Sequence, residues 1–174
     1  MTSNAFFLAA LIVATSAWSA DKSGAHHDHA AHSHGQGQLE LVVQGDVVQL
    51  DFEIPMESLL GHEHLPKTPA QKKAMAELQV GAVQANYLVV LPAAAACQLQ
   101  SAQARSDMFL GKKSEHSDLD VQLQFKCSKP AALQQVELAV FKRHPRLKSL
   151  KVDMLTPKGQ GSTTLKPKDP VIRW

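Results

Sequence analysis

Histidine offers the most chemistry in this chain, and its spacing is uneven. Nine histidines occur in 174 residues, and five of them, His26, His27, His29, His32 and His34, crowd into one short stretch. Neutral imidazole presents an in-plane lone pair that binds Zn²⁺, Cu²⁺ and Ni²⁺. The pairs His29-x-x-His32 and His32-x-His34, with Asp28 among them, let neighbouring side chains chelate one ion. A second candidate is His62-Glu63-His64, which Gly61 and Pro66 mark as a loop. A third, Glu115-His116-x-Asp118, adds a nitrogen and carboxylate oxygens at the entrance to a strand. The metal ligands expected are thus His26, His27, His29, His32, His34, His62, His64, His116 and Asp118. Imidazoles do not choose among these ions by affinity, so Zn²⁺ is expected, with Cu²⁺ or Ni²⁺ as alternatives.

Catalysis is not indicated, and neither a catalytic residue nor an enzyme is expected. His62-Glu63-His64 lacks the i, i+4 spacing of a helical zinc-protease site. The serines form no nucleophile elbow, and no glycine-rich phosphate loop is present. Lys and Arg total 18 against 16 Asp and Glu, a balance too even to point to nucleic acid. The few aromatics that follow the leader, without a basic patch, argue against a single-strand platform.

Residues 1–20 read as a secretory signal peptide. Met1 to Ala20 carry no charged side chain, and the apolar run Ala5–Ala14 is far short of the about 20 residues a spanning helix needs. Cleavage after Ser19, with Ala17 at the −3 position, is sterically easier than cleavage after Ala20, which would put Trp18 there. No later stretch is apolar enough for stable membrane insertion, so an exported chain in the periplasm is expected. Residues 21–36 read as a flexible His-rich metal-binding arm, and 37–174 as a single domain. Cys97 and Cys127 are an even pair in an oxidising compartment, so a disulfide is expected. Zinc or copper ligation is the rival use, which no Cys-x-x-Cys supports.

The elements that must position these groups follow from periodicity. Leu39, Leu41 and Val43 alternate with Glu40, Val42 and Gln44 up to Gly45-Asp46, a two-residue hairpin signal, and Val48, Leu50, Phe52 and Ile54 alternate after it. Thr68-Pro69-Ala70-Gln71 predicts a capped helix running to about Val80, with a second helical stretch through Ala82–Leu91. Strands are expected from Cys97, over Leu119–Cys127, along Val136-Leu138-Val140 and along Leu150-Val152-Met154. A helical turn is expected at Pro130 and another after His144-Pro145. Lys158–Gly161 reads as a turn into Ser162–Leu165, and the tail from Pro167 as broken by proline. The class is α+β, with mostly antiparallel strands and a few short helices. The order strand, turn, strand, helical turn occurs around 38–61 and again around 119–150, which raises an expectation of two similar small lobes.

These residues resemble a known family. The pattern starts with His32-x-His34-Gly35, the Leu39-Glu40-Leu41 strand and the Gly45-Asp46 turn. It continues with Leu60-Gly61-x-Glu63-His64-x-Pro66-Lys67-Thr68, the Ala70-Gln71-Lys72 helix and Leu91-Pro92-Ala93-Ala94 before Cys97. His116-Ser117-Asp118, Phe125-x-Cys127, Phe141-Lys142 and Thr156-Pro157-x-Gly159-Gln160 complete it. The chain is similar to the ZrgA-type family of zinc-regulated periplasmic proteins. The resemblance implies a periplasmic zinc-binding protein that assists a zinc-uptake ABC transporter, or its solute-binding protein, when zinc is scarce. Handling of copper or nickel, and a structural envelope role, are the alternatives. His64 falls on the family's histidine, whereas His62 stands where an aromatic is usual. The long His/Asp/Glu-rich insertion of many members is reduced here to Lys112, Lys113, Glu115, His116 and Asp118, which shifts the expected metal capacity to the N-terminal arm.

Overall fold

Alternation of apolar and polar side chains builds the main sheet. The computed structural model describes residues 34–114 and 116–174, so the expected signal peptide and His26, His27, His29 and His32 lie outside the described residues, as does Glu115. Strand β1 (Gln36–Gln44) turns through Gly45-Asp46 into β2 (Val47–Pro55), with Gln44 opposite Val47. Gly45 has φ 61° at the first central position of that turn, the place where a tight hairpin turn requires glycine.

Strand β3 (Cys97–Arg105) and β4 (Asp118–Cys127) extend the sheet on one side of β2; β6 (Ser149–Thr156) and β7 (Gly159–Leu165) extend it beyond β1. The strand order is β3-β4-β2-β1-β6-β7. Every pairing is antiparallel except β1 with β6. The inward positions stack in register: Leu39 opposes Phe52, and Phe52 opposes Val121, while Leu41, Leu50 and Leu123 form the next row. All six are buried.

Short helices complete the chain: α1 (Met56–Leu60), α2 (Pro69–Gly81) and α3 (Val140–Arg143). Strand β5 (Gln135–Glu137) pairs with β8 (Val171–Arg173) in a separate two-stranded sheet. Leu78, Leu88, Val89, Val136, Leu138, Phe141, Leu147 and Ile172 join the same core as the main sheet. The fold is α+β. Its pairing gives the expected duplication no support, since β4 lies beside β2 in one sheet while β5 belongs to another.

Local expectations fail at four places. Ala82–Leu91 is a run of turns rather than a helix. Leu88 and Val89 are both buried, and Val90 exchanges backbone bonds with Glu137, which a helix could not offer. The alternation Val136-Leu138-Val140 ends as a strand at Glu137: Leu138 N–H still donates to Pro170 O, its next partner across from β8, at 2.7 Å, but Pro170 has no N–H to return the bond, and α3 begins at Val140. The helical residues therefore precede His144, and a single turn closed by Leu147 N–H to His144 O follows it. The tail supplies β8, a strand too short to leave a periodic signal. The fold also starts inside the expected arm: Gln36 opens β1 and Gly35 is buried.

Candidate metal site

The loop carrying His62, Glu63 and His64 is held at both ends. On one side α1 stops at Gly61, which adopts the left-handed conformation (φ 82°) and donates its N–H to Glu57 O at 2.7 Å. A side chain there would also collide with the Arg146 guanidinium, 2.8 Å from the added Cβ. On the other side Thr68 caps α2: Gln71 N–H donates to Thr68 Oγ1 at 3.2 Å, and Gln71 Oε1 accepts from Thr68 N–H at 3.1 Å. This reciprocal arrangement is the capping box expected from the sequence.

Within the loop the two imidazoles stack, with ring centroids 4.6 Å apart and planes 14° from parallel. His62 Nδ1 lies 2.9 Å from His64 O, and His64 Nδ1 lies 2.9 Å from Leu65 O. A carbonyl oxygen only accepts, so each Nδ1 bears the proton and each neutral ring keeps its lone pair on Nε2. Backbone carbonyls fix the tautomer of metal-binding histidines in this way. His62 Nε2 is buried without a hydrogen-bond partner. An acceptor left so costs about 1–3 kcal/mol, and a bound cation would satisfy it.

A second segment reaches the same loop. Met56 N–H donates to Ser117 O at 2.8 Å, and Pro55 stands opposite Asp118 in the β2–β4 register. The entrance to β4 therefore lies against the start of α1. From that entrance His116 Nδ1 comes to 3.5 Å from Glu63 Oε2. Around a tetrahedral zinc, ligand atoms at about 2.0–2.2 Å from the ion stand about 3.4 Å from each other. The pair thus has the spacing of one edge of a zinc tetrahedron. Glu63 is mostly covered, whereas the His116 side chain is 64% exposed, which leaves the ion a path from solvent.

Tertiary structure brings together only part of the expected ligand set. His62 and His64 stack, and His116 joins through Glu63, whose carboxylate the sequence reading did not count as a ligand. Its position between two histidines was the available signal. Asp118 is half-buried at the first position of β4. His34 meets Glu57 rather than another histidine, with His34 Nδ1 3.4 Å from Glu57 Oε2. Among the described residues no group of three or more His, Cys, Asp or Glu side chains is gathered into a complete ligand set.

The cysteines have no part in this. Cys97 and Cys127 face each other across β3 and β4 and form a disulfide, as the sequence led us to expect. His144 is likewise occupied: its Nδ1–H donates to Leu59 O at 3.1 Å and its Nε2 lies 3.3 Å from Tyr87 Oη. No helix among the described residues is long and apolar enough to cross a membrane.

No curated protein matches the chain. A family model described as "ZrgA family zinc uptake protein" matches residues 31–174, the whole stretch from the end of the histidine-rich segment to Trp174. The chain belongs to the ZrgA family of zinc uptake proteins, and its role lies in zinc uptake.

Proposed function

We propose that this chain is a periplasmic zinc carrier, which captures or buffers Zn²⁺ and passes it on for high-affinity import. Its partner in this reading is a zinc-uptake ABC transporter or that transporter's solute-binding protein. The observation that carries the reading is the Glu63–His116 pair at 3.5 Å beside His62 and His64. Structural zinc sites are closed by four protein ligands, and a carrier must let go. Ligands presented in pairs, on a partly exposed edge, suit a cargo that arrives and leaves by ligand exchange. In this reading the residues supply binding and orientation of the ion, which is the work of a carrier.

Imidazole binds zinc only in its neutral form, and free imidazole takes up a proton near pH 6.5. Several rings per ion must lose protons together, so apparent zinc affinity should fall steeply between about pH 7 and 5. A carboxylate-dominated site would hold its affinity to about pH 4–5. Titration calorimetry of the untagged protein with zinc at several pH values reads the difference. A flat response down to pH 5 would remove histidine from the centre of the mechanism. The same titration with Cu²⁺ and Ni²⁺ tests whether zinc is the preferred cargo.

A further inference from the structure

The main sheet ends in two edges of different character. The β3 edge is irregular, with a register shift between Leu99 and Ser101, and the Cys97–Cys127 disulfide fastens it. Strand β7 forms the other edge. Its pairing with β6 runs unbroken through seven positions, from Leu150 opposite Leu165 to Thr156 opposite Gly159. Gly159–Leu165 has no proline, no charged side chain and no bulge, the devices that keep an edge strand from pairing further. Every second residue of an antiparallel strand turns its N–H and C=O away from the neighbour it already has. Among the described residues no element other than β6 pairs with β7.

Two further features of this edge point outward. Gly161 sits in mid-strand without a positive φ, and a Cβ added to it would meet only Met154 Cγ, at an ordinary 3.8 Å. The fold itself thus has room for a side chain there. A glycine inside a strand weakens it, and often marks the close approach of another backbone. The second feature is charge. Residues 142–174 hold nine of the 18 Lys and Arg but only two of the 16 Asp and Glu. Lys151 and Arg173 are paired, with Asp153 and Asp169. Lys158 and Lys166 flank β7 at its two ends and are exposed. Among the described residues no carboxylate lies within ion-pair distance of either.

We propose that the outer edge of β7 takes up an extended acidic segment of another protein as a seventh strand, with Lys158 and Lys166 holding carboxylates at its two ends. Main-chain bonds along such an edge supply affinity, and the flanking side chains supply selectivity. At about 3.3 Å per residue the two lysines stand about 26 Å apart along the strand, so an extended segment meets both with carboxylates about eight residues apart. A second copy of this chain fits the edge less well. In the register that pairs all of β7 with another β7 about Ser162, each Lys158 stands opposite a Lys166. Like charges placed directly opposite destabilise a strand pair.

The test uses the full chain without zinc and synthetic peptides of about ten residues, long enough to reach both lysines. A Glu-Thr repeat should slow hydrogen exchange at alternate amides of Gly159–Leu165, and its binding should weaken as salt is added. Lys158→Glu combined with Lys166→Glu should weaken that binding by about tenfold or more, at an unchanged melting temperature, since both side chains are exposed. A Lys-Thr repeat should not bind. Neither should a Glu-Pro repeat, which keeps the carboxylates but lacks half of the N–H donors. No protection of β7 by the Glu-Thr repeat overturns the proposal, as does equal binding of the Glu-Pro repeat or of the double variant. Protection that appears without peptide as protein concentration rises would assign the edge to a second copy and overturn it too. Binding to phosphatidylglycerol vesicles without binding to the Glu-Thr repeat would assign the lysines to a membrane surface, with the same consequence.

Discussion

The same imidazole ring serves opposite ends in the loop and in the core. His62 and His64 commit Nδ1 to carbonyls and leave Nε2 with a lone pair. His144 commits both nitrogens, to Leu59 O and to Tyr87 Oη, and so ties α1 to the segment before α3. Burial holds the His144 pKa below the ordinary histidine value of 6.5, against the pull of its bond to Leu59, and the neighbouring Arg143 charge acts in the same direction as burial. The unfolded chain therefore takes up this proton first as pH falls. The stability His144 contributes is complete above pH 6.5 and is lost as pH falls through its lowered folded value. Urea denaturation at pH 7.5 and at 5.5 should show a drop in stability for the parent chain. His144→Gln should be less stable at pH 7.5 and show a shallower drop. Equal drops in the two proteins would exclude His144 as the source.

Among the elements, β4 connects the two chemistries of the chain and keeps them apart. His116, just before its first residue Asp118, reaches Glu63 of the loop, and its last residue is Cys127. A ten-residue strand rising about 3.3 Å per residue separates the two by about 30 Å. The disulfide fastens β3, an edge strand whose pairing slips by one residue between Leu99 and Ser101. Such irregular edges resist pairing with other chains, at the cost of a weaker hold on β4. Closing a loop across 30 residues contributes about 3–4 kcal/mol in the chain-entropy model. Replacing Cys97 and Cys127 together by alanine should therefore lower unfolding stability by about that amount. Zinc titrations of the same variant should match the parent, because the cross-link and the proposed ligands Glu63 and His116 sit at opposite ends of β4. A parallel loss of zinc affinity would mean that the site depends on β3.

For the whole molecule, the boundary of the fold decides what can be removed. Deleting residues 21–33 takes away four of the crowded histidines and spares every described hydrogen bond of Gly35. The melting temperature without metal should move by no more than about 2–4 °C, the shift that about 1 kcal/mol produces in a domain of this size. Most zinc equivalents should go with the segment. Extending the deletion to residue 36 removes the Gly35 bonds to Ser58, Lys148 and Ser149 and the first residue of β1, and should lower the melting temperature much further. Differential scanning calorimetry with paired metal analysis checks both deletions. A large drop for the shorter one would make the segment structural.

Features set by near neighbours were legible in the sequence. The Gly45-Asp46 hairpin, the Thr68 capping box and the inward faces of β1, β2 and β4 all follow from local chemistry or a period of two, and Cys97 pairs with Cys127 because the chain has just these two cysteines. The histidines announced themselves by type and crowding alone. Their partners did not, because a contact between distant residues is fixed by which strands are neighbours. Glu63 meets His116 because β4 lies beside β2, and Gly35 meets Lys148 and Ser149 where β1 begins its parallel pairing with β6. Those adjacencies join segments far apart in the chain, and no local pattern encodes them. Glu57 reads in sequence as an ordinary acidic residue in a first helical turn, and only the docking of Gly35 on Ser58 brings His34 to it. The kind of chemistry was thus a property of the sequence, whereas the carboxylate joined to each histidine was decided by long-range strand pairing.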